Sequence, residues 1–335
     1  PSSVVAGKST VPVGTAKTLP ERLSSKAGFD AKLVWNPEFL REGTALEDSL
    51  RPDRIVIGVP NNDLHSEQVM RSVYEPIVNG DTGSAKGQTP FLVMDVPTSE
   101  LVKVAANSFL ATKISFINAM AEISEASGAD AVALAEAIGM DARIGSQFLR
   151  NGIGFGGGCL PKDIRAFMAR AQELGVGQAV DFLADVDAVN LRRRQRVVDL
   201  AKRELGELNN KRILVLGAAF KPDSDDLRDS PALSVATKLA QAGAHVVIHD
   251  PMALHGVRAS YPQLDPVDDV FEAAKGVDLV VLGTEWKFYR ELDAAKLAGL
   301  VSNKTVIDGR NALPYHAWQA AGWKVIALGR NLESA

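Results

Sequence analysis

The segment Phe155-Gly156-Gly157-Gly158-Cys159-Leu160-Pro161-Lys162-Asp163 joins three glycines, the only cysteine of the chain and the start of a helical stretch. A lone cysteine is most often a small buried hydrophobe. This one follows glycines, which let a backbone approach a ligand closely. It also precedes a helix, whose N-terminal dipole favours a thiolate, as does a neighbouring lysine such as Lys162. Asp163 stands four positions after Cys159, one helical turn on. The set suits an activated nucleophile, with core packing as the alternative. Gly152, Gly154 and Gly157 also satisfy G-x-G-x-x-G, but a helix-like segment precedes them where a dinucleotide site needs a strand, so that fingerprint is rejected.

Lys103 and Asn107 are i and i+4, on one helix face, in a stretch otherwise rich in apolar side chains: Leu101, Val104, Phe109, Leu110, Ile114 and Phe116. A cation and an amide on a largely buried helix need partners. They either form an exposed stripe or hold a developing oxyanion. Asn36-Pro37-Glu38-Phe39-Leu40-Arg41-Glu42-Gly43 follows an expected strand, where ligands of α/β folds collect. Its two carboxylates could do acid–base work or simply be solvated. Lys8-Ser9-Thr10-Val11-Pro12-Val13-Gly14 also leaves a strand. Leu216-Gly217-Ala218-Ala219-Phe220-Lys221-Pro222 has the position of a Rossmann first turn, with Asp250 after the next strand, but Ala219 replaces the middle glycine. That argues against NAD on this turn, while Lys221, Arg228 and Arg310 could meet phosphates.

Three blocks position these residues. Residues 1–96 alternate expected strands (Val4–Ala6, Leu33–Trp35, Arg54–Val59, Phe91–Met94) with helices over 15–27 and 64–77, the pattern of parallel βαβ units amounting to about half a doubly wound domain. Residues 97–208 read as helical: Pro97-Thr98-Ser99 as a stop and cap, a helix from Glu100 to Ser127, another over Ala129–Ile138, one from Lys162, and a long one over Gln178–Leu208. Residues 209–335 restart an α/β pattern with strands at Lys211–Leu216, His245–His249, Leu279–Leu282, Thr305–Asp308 and Lys324–Leu328.

The 335 residues are 46% hydrophobic and 23% charged, an ordinary globular composition, and the net charge of −4 gives no basic field for nucleic acid. Arg192-Arg193-Arg194-Gln195-Arg196 is the one basic cluster and is expected to be a solvated helix face. No apolar run reaches membrane-span length. A single cysteine excludes an intramolecular disulfide, which points to a reducing cytoplasm.

Taken together and in this order, these motifs resemble the UDP-glucose/GDP-mannose dehydrogenase family of nucleotide-sugar 6-dehydrogenases over essentially the whole chain. The helix Glu100–Ala111 is most similar to that of the UDP-glucose members. The resemblance implies two Rossmann-like domains, the first truncated, joined by a long central helix and a helical region. It implies NAD as cofactor and UDP-glucose as substrate, oxidised to UDP-glucuronate through a thiohemiacetal and a thioester. Carried over, Cys159 is the nucleophile, Lys103 and Asn107 stabilise oxyanions, Asp163 orients water, Glu38 is a base and Thr10 holds a water. Phe39, Leu40, Phe155, Gly156, Lys221 and Arg310 contact substrate. Arg143 enters a neighbouring subunit's site, which implies a homodimer, and Glu42, Lys162 and Arg228 lie near NAD. Family members begin with a strand and a G-x-G-x-x-G turn; this chain opens Pro1-Ser2-Ser3 without one. The expectation is therefore a chain that starts in mid-domain, lacks its NAD-binding segment and is inactive. A GDP-mannose enzyme and a non-catalytic nucleotide-sugar-binding protein are the alternatives.

Overall fold

The computed structural model describes residues 3–28, 31–60, 63–80 and 88–332, so Pro1 and Ser2, at the expected mid-domain start, lie outside the described residues. The chain divides into two compact units, Pro1–Phe109 with Asp163–Val180, and Leu110–Lys162 with Asp181–Ala335.

The first unit holds β1 (Val4–Gly7), a 3₁₀ turn (Ala16–Thr18), α1 (Leu19–Ala27), β2 (Lys32–Trp35), α2 (Ala45–Leu50), β3 (Ile55–Val59), α3 (Leu64–Val78) and β4 (Phe91–Asp95). The sheet order is β1-β2-β3-β4. Strands β1 and β2 are parallel, with Gly7 opposite Trp35, as are β3 and β4. The expected run of parallel units is corrected at β2–β3, which pair antiparallel through Trp35 and Gly58. The helix between them, α2, has only six residues. At ~1.5 Å per residue it is too short to carry the chain back along the sheet, so β3 sets out from the end where β2 stops. Successive strand side chains face opposite ways. Accordingly Val34 packs with Ile55, Ile57 and Met70 in one core cluster, and Leu33 and Trp35 with Ala16 in another.

Helix α4 (Val96–Ser127) contributes residues to both units. It starts four residues before the expected Glu100. Proline is tolerated in a first turn, where its missing N–H costs nothing. Asp95 caps the turn by accepting the Thr98 N–H at 2.8 Å. Then come α5 (Ala131–Gly139), capped by Asp130, α6 (Leu160–Glu173), a 3₁₀ turn (Gly177–Val180) and α7 (Phe182–Leu205). The expected long helix over Gln178–Leu208 is thus broken at its start.

The second unit continues with β5 (Arg212–Leu216), α8 (Pro231–Gln241), β6 (His245–His249), α9 (Leu254–Ser260), β7 (Asp265–Pro266), α10 (Val270–Ala273), β8 (Leu279–Leu282), α11 (Lys287–Arg290), α12 (Ala294–Ala298), β9 (Thr305–Asp308), α13 (Tyr315–Ala320) and β10 (Lys324–Ala327). Its sheet runs β10-β9-β8-β5-β6-β7 with every pairing parallel, the doubly wound Rossmann order. Strands covered on both faces read as continuous apolar runs. Ile213–Leu216 and Leu279–Leu282 do so, and every one of their side chains is buried in the main core.

The basic cluster of α7 is not the solvated face expected. Arg193 and Arg194 are 0% and 3% exposed. Arg193 pairs with Glu125 at 2.8 Å and donates to the Gly152 carbonyl, and Arg194 donates to that of Phe155 at 3.0 Å. Buried guanidinium groups need such partners.

Candidate active site

In the first unit, α4 turns a polar stripe inward. Lys103 and Asn107 are buried, while Leu101, Phe109 and Phe116 of the same helix are exposed. Asn107 Nδ2 donates to Asp163 Oδ2 at 2.6 Å, and Lys103 Nζ lies 3.8 Å from Glu38 Oε1 and 5.3 Å from the centroid of the Phe39 ring. Phe39 also carries the Arg54 guanidinium at 4.1 Å from its ring centroid. The other oxygen of Glu38 accepts the Leu40 N–H at 2.7 Å, so the Asn36–Gly43 turn is fixed by its own carboxylate. Of the two carboxylates in that turn, Glu38 is half-buried beside Lys103 and Glu42 is exposed. Thr10 is half-buried in the loop that leaves β1. The same unit therefore holds a buried cation, an amide and two carboxylates, linked as Glu38–Lys103 and Asn107–Asp163.

One residue the sequence reading passed over organises this loop. Glu100 is buried, and its two oxygens accept the N–H groups of Gly14 and Ala16 at 2.7 Å each. It stands one turn before Lys103 on α4. Arg170 of α6 donates to the Val13 carbonyl at 2.8 Å. A groove of about 630 Å³ in this unit, lined by Gly14, Lys17, Leu33, Val59, Asp95 and Glu100 among others, borders none of the candidate residues.

In the second unit, Cys159 is exposed and directly precedes α6, whose first turn carries Asp163. The glycine loop before it is packed tightly. A Cβ at Gly156 would stand 2.3 Å from the Asp229 carbonyl oxygen, one at Gly157 2.7 Å from the Phe220 ring, and one at Gly158 2.5 Å from the Arg228 guanidinium. Phe155 is buried. Arg228 is exposed and grips Asp226 through two nitrogens, at 2.9 Å and 2.7 Å. Lys221 lies over the Phe220 ring, and Lys162 is exposed. Arg310 holds carbonyl groups: Gly283 at 2.8 Å, Gly154 at 2.9 Å and Phe220 at 3.4 Å. Arg143 is exposed and paired with Asp141, in a loop whose carbonyls at Ile144 and Gly145 accept from Lys113.

The Rossmann-like turn after β5 explains its missing glycine. Asp250 Oδ2 accepts the N–H groups of Ala218 and Ala219 at 2.7 and 3.0 Å, and its other oxygen accepts those of Met252 and Ala253. In a dinucleotide domain such N–H groups would face a pyrophosphate. Here a carboxylate of the chain takes them.

A dinucleotide fits the first unit better. β1 and β2 are parallel and end together, so the loops carrying Thr10, Glu38 and Glu42 leave the carboxyl edge of the sheet, where α/β folds bind nucleotides. A carboxylate such as that of exposed Glu42 can accept hydrogen bonds from ribose hydroxyls. Among the described residues, no cluster of His, Cys, Asp or Glu could hold a metal, and no helix is long and apolar enough to cross a membrane.

Comparison with known proteins places the NAD binding domain in the first unit. Residues 1–78 match the NAD binding domain of the UDP-glucose/GDP-mannose dehydrogenase family, 97–192 its central domain and 214–315 its UDP binding domain. A UDP-glucose 6-dehydrogenase of Rhizobium meliloti is 40% identical over 334 residues, covering 98% of this chain and 74% of that one. The UDP-glucose 6-dehydrogenase TuaD of Bacillus subtilis is 37% identical over 98% of this chain and 68% of its own. The structure of a UDP-glucose dehydrogenase from Pyrobaculum islandicum superposes with a TM-score of 0.86 at 36% identity, covering 98% of this chain and 72% of that one. The chain belongs to the UDP-glucose/GDP-mannose dehydrogenase family of NAD-dependent dehydrogenases. The expectation that it lacks the NAD-binding domain is corrected: residues 1–78 match that domain, although no G-x-G-x-x-G turn is among them, and the inactivity expected from its loss has no support.

Proposed function

We propose that the chain oxidises C6 of UDP-glucose to the carboxylate of UDP-glucuronate, using two NAD⁺ and one water per sugar. The observation that carries this is the inward polar face of α4, with Lys103 beside Glu38 and Asn107 bonded to Asp163. When bound, NAD supplies the hydride acceptor, and Glu42, Lys162 and Arg228 hold it. Cys159 adds through Sγ to the C6 aldehyde of the half-oxidised sugar, forming a thiohemiacetal. Its further oxidation leaves a thioester, an activated acyl group that water can cleave. Lys103 and Asn107 stabilise the oxyanion at C6. Asp163 orients water, Glu38 takes its proton during thioester hydrolysis, and Thr10 holds a water. Phe39, Leu40, Phe155 and Gly156 line the sugar site, and Lys221 and Arg310 face the nucleotide.

In this reading residues 1–96 serve the dinucleotide, 97–208 hold the cysteine loop and the subunit contact, and 209–335 bind the UDP-sugar. The exposed apolar side chains Phe116, Ile123, Phe182 and Leu191 of α4 and α7 support a homodimer, in which Arg143 reaches the partner's site. A working thiolate suits a reducing, cytoplasmic compartment. The test is NADH absorbance with UDP-glucose. Two NADH per sugar are expected, and Cys159→Ser should not sustain turnover. A parent chain that makes no NADH, or a serine variant that matches it, ends the proposal.

A further inference from the structure

We propose that Asn190, midway along α7, is a positioning residue that sets the geometry of the Cys159 loop; this rests on the role given to Cys159 above. Asn190 is fully buried. Its Oδ1 accepts the Phe155 N–H at 2.7 Å and its Nδ2 donates to the Phe155 carbonyl at 3.0 Å. Two bonds from one side-chain amide to one residue fix both where the Phe155 backbone lies and how it is turned. Arg194, four residues on along the same helix, donates to the same carbonyl at 3.0 Å. The close approach depends on Gly154, which has φ +91° and whose Cβ, if present, would stand 2.1 Å from Asn190 Oδ1.

Beyond Phe155 the loop has no slack. Gly156 and Gly157 lie against the Asp229 carbonyl and the Phe220 ring closely enough to exclude a methyl group, and the Gly157 N–H donates to the Arg228 carbonyl at 2.9 Å. A shift at Phe155 is therefore handed on to Cys159, four residues later, instead of being absorbed on the way. Burial obliges the amide to find partners. That it spends both ends on the residue opening the triglycine run makes it the anchor of the run.

Cys159 is the only cysteine, so alkylation by iodoacetamide reports on it alone. Asn190→Asp keeps the side-chain shape and the acceptor for the Phe155 N–H, places its charge near Arg194, and loses the donor to the Phe155 carbonyl. In the full chain we expect kcat with UDP-glucose to fall about a hundredfold with KM within about threefold of the parent. Alkylation at neutral pH should slow by at least about threefold, with the circular dichroism unchanged. Asn190→Ala should go further in the same direction. If Asn190→Ala does not fold, the aspartate variant decides. Parental kcat in Asn190→Asp, or an alkylation rate per folded molecule equal to the parent's, makes Asn190 a packing residue only and overturns the proposal. If the parent itself does not oxidise UDP-glucose, the functional proposal fails, yet the alkylation comparison still rules on Asn190.

Discussion

A buried ammonium is costly unless something repays it, and Lys103 is buried with one carboxylate, Glu38, at ion-pair distance and one aromatic face beside it. A group kept at that cost is expected to act on a charge that develops during the reaction. We predict that Lys103→Ala lowers kcat on the order of a hundred- to a thousandfold, the usual effect of losing an oxyanion donor. Steady-state kinetics would check it, and a loss confined to KM would count against the role. This residue and Asn107 were legible in the sequence because a cation and an amide four apart interrupt an apolar helix. Which way the helix faces was not legible. Its phenylalanines suggested an apolar interior, but Phe109 and Phe116 are exposed and the polar stripe is buried. Periodicity shows that two faces differ without saying which one points inward. Asn190 could not be found either, because nothing local marks an asparagine whose partner lies 35 positions away in the chain.

At the scale of elements, the strand cores and long helices follow from apolar runs and breakers, and their limits shift by a few residues where capping decides. The start of α4 at Val96, with Asp95 as cap, is one such shift. The antiparallel step between β2 and β3 is a larger one, since the length of the intervening helix, not the pattern of the strands, sets the direction. Glu100 ties α4 to the loop leaving β1 through two short bonds to N–H groups. Bonds from a charged acceptor are stronger than neutral ones, and a glutamine can satisfy only one of the two N–H groups with its single oxygen. Glu100→Gln should therefore cost about 2 kcal/mol in denaturant unfolding. A cost below a few tenths would mean that the loop holds its shape without the carboxylate.

Across the molecule, long-range ties collect at Glu125. Burial tends to raise this carboxyl, but Arg193, Arg196 and the Gly329 N–H outweigh it and hold it below the ordinary glutamate range. Arg193 and Arg196 lie 68 and 71 residues away in the chain, and Gly329 lies 204 away. A carboxyl held low contributes stability that is complete above its unfolded-state value and is lost as pH falls through its folded-state value. The melting temperature should thus decline on the acid side, and Glu125→Gln should flatten that limb. At neutral pH the variant should lose about 3 kcal/mol, because Arg193 is left buried opposite a neutral amide. Melting curves from neutral to acid pH would decide, and a variant whose acid limb parallels the parent's would refute the assignment. Asp250 has a wider meaning for the all-parallel sheet of the second unit. By closing the turn after β5 on itself, it acts as a tethered competitor whose effective concentration is at least about millimolar. A free phosphate would have to displace that carboxylate before it could reach the Ala218 and Ala219 N–H groups.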